Sequence, residues 1–101
     1  MNDKISRVQF ALGLAQKAGK LASGDVAVRS ALKNHKVRLL IVAEDAAPNT
    51  KRELHHLAET NGVEVEEILT ASQMGSAIGR AKRVSVAVLD VNFYNMLGSI
   101  I

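Results

Sequence analysis

Two segments of this 101-residue chain contain the kinds of groups that bind phosphate, and the first begins at residues 23–25 (Ser-Gly-Asp). This triplet is typical of a helix start, which exposes unpaired backbone N–H groups and the positive end of the helix dipole to an anion. Basic residues follow at i, i+4 and i+7, which predicts a cationic face on the same helix. The alternative is a capped surface helix whose basic side chains are only solvated. The candidate RNA-binding residues here are Lys20, Gly24, Asp25, Arg29, Lys33 and Lys36.

The second segment is residues 79–84 (Gly-Arg-Ala-Lys-Arg-Val), directly before a predicted core strand. Its three cations, Arg80, Lys82 and Arg83, occupy four consecutive positions of what should be an exposed loop. Arg and Lys in such a loop can hold phosphates, and Arg can also stack on bases. The alternative is an ordinary basic surface loop. Both segments are expected at strand or helix ends, although the sequence alone does not place them on one face.

Charge is unevenly distributed along the chain, although the net charge of +3 is small. Residues 4–38 contain eight Lys or Arg and one acid, whereas residues 44–67 contain seven acids and two bases. Residues 80–101 contain three bases and one acid. If the two basic segments fold together, the domain has one cationic face suited to a polyanion such as RNA.

Candidate groups for catalysis or metal binding are few. The chain has no cysteine, and His55 and His56 are adjacent on a predicted helix, so they point about 100° apart and cannot easily share a metal. Glu44 and Asp45 follow a core strand, where active sites of α/β folds often lie, but no base or nucleophile is paired with them. We therefore predict no catalytic residue, no metal and no cofactor. With three aromatic residues, the chain also lacks the stacking platforms of single-strand binders, which favours recognition of folded RNA.

The elements that must position these residues alternate between helix and strand. Apolar runs at 37–43 and 84–89 predict two buried strands, the alternating residues 63–66 predict a shorter one, and residues 20–22 are expected to add a brief strand. Helices are predicted around residues 5–15, from 23–25 onward, from Asn49 or Thr50 to Asn61, from 70–72 to Gly79, and over 92–97. The second helix is expected to bury Ala27, Val28, Ala31 and Leu32. This order predicts one α/β domain over residues 1–101, a three-layer α/β/α sandwich around a small mixed sheet of about four strands.

The order of these motifs resembles the L7Ae/L30e family of ribosomal proteins, and it is most similar to the small bacterial YlxQ-type branch. The resemblance covers about residues 8–95 and rests on four segments: residues 23–25, 36–46, 72–79 and 84–90. It implies an α/β/α sandwich that binds kink-turn RNA. In such proteins the start of the second helix reads tandem G·A pairs, and a loop before the last strand covers a flipped-out nucleotide. These elements correspond here to residues 24–30 and 80–84.

The sequence departs from the family pattern at the residues that read the RNA. Typical kink-turn binders have Gly-x-Asn-Glu-x-x-Lys, whereas this chain has Val26, Ala27 and Ser30 at the Asn, Glu and Lys positions. Arg29 is one residue from the Lys position, but one residue on a helix is a rotation of about 100°. General RNA binding is compatible with this change, whereas kink-turn specificity is not implied by these residues.

We therefore predict a non-enzymatic protein that binds structured RNA, kink-turn-like or ribosomal, in the cytoplasm. No segment of signal-peptide type and no membrane span is expected, because no apolar run approaches the necessary length. One alternative is a ribosome-associated protein-interaction module with weak or no specific RNA recognition, whose acidic side, residues 44–67, binds a basic partner. Ribosomal proteins are a further candidate class of partner. Another alternative is a small-molecule or enzyme domain that uses Glu44 and Asp45.

Overall fold

A computed structural model describes residues 3–101, and residues 1 and 2 of the predicted domain lie outside the described part. Five helices alternate with four strands, which confirms the predicted α/β fold. The helices are α1 (Lys4–Lys17), α2 (Asp25–Lys33), α3 (Pro48–Thr60), α4 (Ala71–Ala77) and α5 (Val91–Ile100). The strands are β1 (Leu21–Ser23), β2 (Leu39–Val42), β3 (Glu64–Glu67) and β4 (Ser85–Val88).

The four strands form one mixed sheet in the order β1-β4-β2-β3. Strands β2 and β3 are parallel, whereas β4 is antiparallel to both β1 and β2. Helices α2 and α3 contact each other and one face of the sheet, and α1 contacts α4 and α5 on the other face. The predicted three-layer sandwich and mixed four-stranded sheet are confirmed.

The two central strands are buried along their whole length because helices cover both of their faces. Every residue of β2 and β4 is buried, as the continuous apolar runs at 37–43 and 84–89 predicted. Strand β3 lies at the edge of the sheet, and its two end glutamates are exposed. The core is aliphatic, with Leu12, Leu32, Leu40, Ile41, Leu54 and Met74 among its largest fully buried side chains.

Helices α1 to α4 each end in a turn with one residue in the left-handed conformation. In each turn, the amides of the two residues after the C-cap donate to carbonyl oxygens in the last turn of the helix. Glycine takes the left-handed position after α1, α3 and α4, at Gly19, Gly62 and Gly79. After α2 this position is His35, with φ of 57°. A histidine there is strained, because a Cβ atom disfavours the left-handed region.

Two local expectations for α2 were wrong. The helix ends at Lys33 because His35 turns the chain, so Lys36 does not extend the helical face of Arg29 and Lys33. Ala27 is exposed, and only Val28, Ala31 and Leu32 of the predicted buried face are buried.

Helix α3 starts earlier than predicted. Pro48 is its first residue, where the missing N–H of proline is not needed, and Ala47 precedes it as the cap. Within residues 3–101, none of the helices has the length and apolar character required to span a lipid bilayer.

Candidate nucleic-acid interface

Helix α2 begins immediately after the edge strand β1, and Gly24 makes this turn possible. Its backbone has φ of 90° and ψ of 156°, a conformation that is essentially restricted to glycine. Among residues 3–101, no side chain forms a capping hydrogen bond at this helix start. The first amide N–H groups of α2 and the positive end of its dipole therefore face outward at the end of β1.

The basic loop, residues 79–84, is held against α4 by close backbone contact at Gly75. An ideal Cβ atom placed on Gly75 would lie only 2.0 Å from the carbonyl oxygen of Ala81, so a side chain does not fit there. The amide of Arg80 donates to the carbonyl oxygen of Gly75 at 2.8 Å, and that of Arg83 donates to the carbonyl oxygen of Ala71 at 3.1 Å. The loop thus has a defined conformation that depends on the glycine.

The basic loop and the start of α2 meet at one end of the sheet. The position of a Cβ atom on Gly24 would be 4.0 Å from Nε of Arg83. The guanidinium of Arg83 also donates from Nη1 to the carbonyl oxygen of Lys82 at 3.1 Å, which holds the side chain against its own loop. Arg80 and Lys82 are exposed beside it. The structure therefore brings together the two segments that the sequence singled out separately.

Two buried polar atoms at this end have no hydrogen-bond partner among the described residues. They are Nε of Arg83 and the hydroxyl oxygen of Ser85, the first residue of β4. Buried polar groups are nearly always paired, because an unpaired one costs about 1–3 kcal/mol. The Arg83 Nε–H is thus a donor with unused capacity beside the start of α2.

Arg29 is less available than its sequence position predicted. Its Nε lies 2.7 Å from Oδ1 of Asp25, one turn earlier on α2, and its Nη2 lies 3.7 Å from Oε2 of Glu53 on α3. The hydrogen bond that Arg29 donates to Asp25, together with the nearby charges of Asp25 and Glu53, raises the pKa of Arg29. Its charge is therefore partly compensated within the protein.

The remaining predicted contacts lie further away. The carbonyl of Lys20 accepts the amide of Leu89 at the opposite end of β4 from Arg83, and Lys36 follows the far end of α2. The nine residues of α2 span about 14 Å at 1.5 Å per residue. Lys33, in the last turn of α2, is also remote from Gly24. Of the nine predicted residues, the structure brings together Gly24, Asp25, Arg80, Lys82 and Arg83.

Asp45 has a structural partner at the same end of the sheet as the basic loop. Its Oδ1 accepts the amide of Ala71 at 2.8 Å, at the start of α4. Thr70 and Gln73 complete this start with a reciprocal pair of side-chain and backbone hydrogen bonds. Asp45 thus fixes α4, the helix on which the basic loop rests, through a contact that no pattern in the sequence predicted.

The histidines do not form a metal centre with the acids around them. Nε2 of His55 lies 2.7 Å from Glu67, which also accepts Nζ of Lys51 at 3.0 Å. Hydrogen bonds from Lys51 and His55 lower the pKa of Glu67. These ion pairs join α3 to the edge strand β3. Within residues 3–101, no three His, Cys, Asp or Glu side chains form a group suited to a metal ion.

The fold and this surface define a small α/β domain with a helix start and a basic loop at one end of its sheet. The chain belongs to the ribosomal protein L7Ae/L30e/S12e/Gadd45 family, whose model matches residues 6–97. The resemblance seen in the sequence is thereby confirmed.

Two curated relatives and two solved structures are similar to the chain. The RNA-binding protein YlxQ of Bacillus subtilis (strain 168) is 33% identical over 90 residues, which are 89% of this chain and 90% of that protein. The RNA-binding protein YlxQ of Enterococcus faecium is 30% identical over 82 residues, which are 81% of this chain and 79% of that protein.

The structural matches agree with the sequence matches. A protein of unknown function from Bacillus halodurans has a TM-score of 0.87 at 31% identity, over 93% of this chain and 95% of its own. The 15.5kD RNA binding protein of Giardia lamblia has a TM-score of 0.81 at 18% identity, over 99% of this chain and 87% of its own. At that identity the Giardia protein shows the fold alone.

Proposed function

We propose that this protein binds structured RNA without catalysing a reaction, through the start of α2 and the basic loop. The observation that carries the proposal is the proximity of Arg83 to Gly24, with Nε 4.0 Å from the Cβ position of that glycine. Because of this proximity, the outward-facing amides of α2 and the three cations of the basic loop form one surface. The names of the two YlxQ relatives, both RNA-binding proteins, support the same function.

Each part of this surface has a distinct task in the proposal. The open amides of α2 bind a phosphate that approaches Gly24, because the helix dipole favours negative charge there. Arg80 and Lys82 are exposed and contact the RNA backbone on the other side of the same site. Arg83 lies between these parts, and because its Nε is buried, its half-buried guanidinium adds positive charge to the site for a phosphate. Asp25 holds Arg29 and does not contact phosphate.

The chemistry at the tip of α2 favours recognition of backbone shape over the reading of G·A pairs. Val26 is 83% exposed, and Ala27 beside it is exposed as well. Neither side chain can donate to a base edge, and Arg29 is engaged with two carboxylates. We therefore propose a folded RNA, such as a ribosomal RNA segment in the cytoplasm, that is recognised by its shape and phosphates and not through tandem G·A pairs.

A titration with two RNAs tests which feature is recognised. One is a standard kink-turn RNA, and the other is the same RNA with its G·A pairs disrupted. If the protein reads shape and phosphates, both should bind with affinities that differ by less than about tenfold, the size expected for one good base contact. A much larger preference for the intact kink-turn would overturn the assignment of Val26 and Ala27.

A pair of triple variants tests where the RNA binds. Arg80→Ala, Lys82→Ala and Arg83→Ala together should lower the slope of log affinity against log salt by about 2, since each phosphate contact contributes about 0.7–0.9. The matched control removes the same charge from the other end of the sheet, in the variant Lys20→Ala/Lys36→Ala/Arg38→Ala. Equal loss in both variants would mean that only the overall charge attracts RNA.

A further inference from the structure

The outer face of α1 carries an apolar ridge that the proposed RNA site does not use. Phe10 is 69% exposed and Leu14 is 37% exposed, although large apolar side chains in small domains are usually covered. Arg7 and Lys17 lie on the same side of the helix, since positions 7, 10, 14 and 17 fall within about 80° of one another. The ridge is thus apolar at its centre and cationic at both ends.

Phe10 stands between two grooves, one on each side of α1. The groove towards α5 has a volume of about 330 Å³ and includes Met96 and Ile100 in its walls. The groove towards α4 has a volume of about 240 Å³ and includes Leu14 and Ala77. Met96 is itself 40% exposed. The apolar surface therefore continues from the ridge into both grooves.

The walls of the α4 groove are held in place by contacts between the helices. The side-chain amide of Gln9 donates to the carbonyl oxygen of Gln73 at 3.1 Å. A Cβ atom on Gly13 would lie 3.1 Å from the carbonyl oxygen of Ala77, which shows how closely α1 and α4 approach. A groove with fixed walls can receive a partner without a large ordering cost.

The charge around this surface selects the partner. Helices α1, α4 and α5 contain no Asp or Glu, and the exposed cations on this face are Arg7 and Lys17. Asp3, the cap of α1, is on the same side, where its carboxylate accepts the amide of Ser6 at 2.7 Å. Neither Arg7 nor Lys17 forms a salt bridge within residues 3–101. A second copy of the chain would bring like charges together in a two-fold contact. An RNA backbone would leave Leu14, Met96 and Ile100 without a favourable contact.

We propose that this α1 surface docks an amphipathic helix of another protein, with apolar residues at helical spacing and acidic residues beside them. The apolar side would lie over Phe10 and fill the two grooves, as in known helix-in-groove recognition. The acidic side chains would pair with Arg7 and Lys17. Because α1 lies on the opposite face of the sheet from α2, the partner and the RNA can be bound at the same time.

A display library of helical peptides tests the proposal with the full-length protein. The charged positions of the library are randomised between Glu and Lys, and its apolar positions between Leu, Phe, Ala and Ser. Peptides are selected on the wild-type protein after removal of those that bind the Phe10→Ser variant. Because Phe10 is exposed, Phe10→Ser should fold normally, which a thermal melt verifies. The enriched peptides are expected to have Leu or Phe at i, i+3 or i+4 and i+7, with Glu on both sides.

Individual peptides then test each element of the surface. Phe10→Ser should weaken binding of an enriched peptide at least tenfold, the size of an interface hot spot. The double variant Arg7→Glu/Lys17→Glu should prefer the same peptide with Lys in place of Glu. Val26→Ser, which removes an exposed apolar side chain from the other face, is the matched control and should bind the peptide like the wild type.

Several outcomes would overturn this inference. They are the enrichment of basic peptides, the absence of any Phe10-dependent enrichment, and peptide binding that the double charge reversal leaves unchanged. Two competing occupants of this face, RNA and an anionic membrane surface, are tested by displacement of the peptide. Displacement of the peptide by RNA that still occurs in the Arg80/Lys82/Arg83 triple variant would point to RNA, and displacement by vesicles would point to a membrane surface. Loss of RNA binding alone would not affect the inference, since the two surfaces are on opposite faces.

Discussion

The most direct test of how the proposed RNA site is built is the substitution Gly75→Ala on α4. It adds one methyl group at a buried point that is not itself expected to contact RNA but lies directly under the basic loop. The new Cβ atom would start 2.0 Å from the carbonyl oxygen of Ala81 and 2.6 Å from its carbonyl carbon. Cβ atoms essentially never approach other atoms within 3.0 Å, so the backbone at Ala81 must retreat by at least about 1 Å.

This displacement has two opposing effects on stability. Moving the loop weakens the hydrogen bond from Arg80 to Gly75, and the crowding itself costs about 1–3 kcal/mol. Alanine is a better helix former than glycine by about 1 kcal/mol, which offsets part of the loss. We therefore expect the free energy of unfolding to fall by about 1–3 kcal/mol, less than the roughly 5–15 kcal/mol by which domains are usually stable, so the variant should still fold.

Gly75→Ala should also weaken RNA binding, and by more than the loss of folded protein alone would cause. A loop that has shifted by 1 Å carries Arg80, Lys82 and Arg83 with it, and at least one phosphate contact should be lost. The slope of log affinity against log salt, measured by fluorescence anisotropy with a labelled kink-turn RNA, should then fall by about 0.7–0.9 or more. Urea denaturation of the same samples gives the stability.

Gly98→Ala is the matched control, because Gly98 is also helical but has no atom within 4 Å of its Cβ position. This variant should gain up to about 1 kcal/mol in stability and bind RNA like the wild type. If Gly75→Ala had the same salt slope and affinity as Gly98→Ala, the basic loop would not depend on Gly75, and the proposed geometry of the site would be wrong.

Three further substitutions test individual features of the fold. Gly24→Ala should cost about 1–3 kcal/mol of stability in urea denaturation, because φ of 90° is strained for alanine even with space available, and an unchanged midpoint would contradict this. His35→Gly should raise stability by about 0.5–1 kcal/mol, since glycine relieves the left-handed strain but has more freedom when unfolded; a destabilised variant would show that His35 makes an unrecognised contact. Glu67→Gln should slightly lower the thermal midpoint at neutral pH, because the variant loses the contacts of Glu67 with Lys51 and His55. The corresponding loss in the free energy of unfolding should be less than about 1 kcal/mol. Because the pKa of Glu67 is lowered in the folded protein, its contribution to stability is complete above the ordinary glutamate pKa and is lost as the pH falls through the lowered value. The thermal midpoints of wild type and Glu67→Gln should therefore converge in acid, and a difference that stays constant with pH would refute this.

Much of the fold could be predicted from the sequence because each buried element has its own pattern. The apolar runs at 37–43 and 84–89 predicted the two central strands, which depend on burial from both sides. The end of α2 could not be predicted in this way. Lys36 continued the helical spacing of Arg29 and Lys33, and a histidine in the left-handed position has no reliable sequence signal.

The candidate site was predictable at the level of segments but not of individual contacts. The Ser-Gly-Asp helix start located Gly24, and the clustering of three cations located the basic loop, because both patterns are visible in a short segment of sequence. Their proximity and the contact of Gly75 with Ala81 depend on how α4 packs beside the sheet. Similarly, the partners of Arg29 lie on two different helices, and only the folded chain brings Glu53 close to it.

The unpaired Nε of Arg83 is the feature that folding alone does not explain. A buried donor without a partner costs about 1–3 kcal/mol, and an apolar side chain of similar length would avoid that cost. Arg83 also lies beside the start of α2, with Nε 4.0 Å from the Cβ position of Gly24. If RNA binds here as proposed, a small movement of the Arg83 side chain would expose its Nε to a phosphate oxygen, which would complete the hydrogen bonding and bring negative charge to the helix dipole. The cost in the free protein would then be offset on binding, which is the pattern expected of a binding residue.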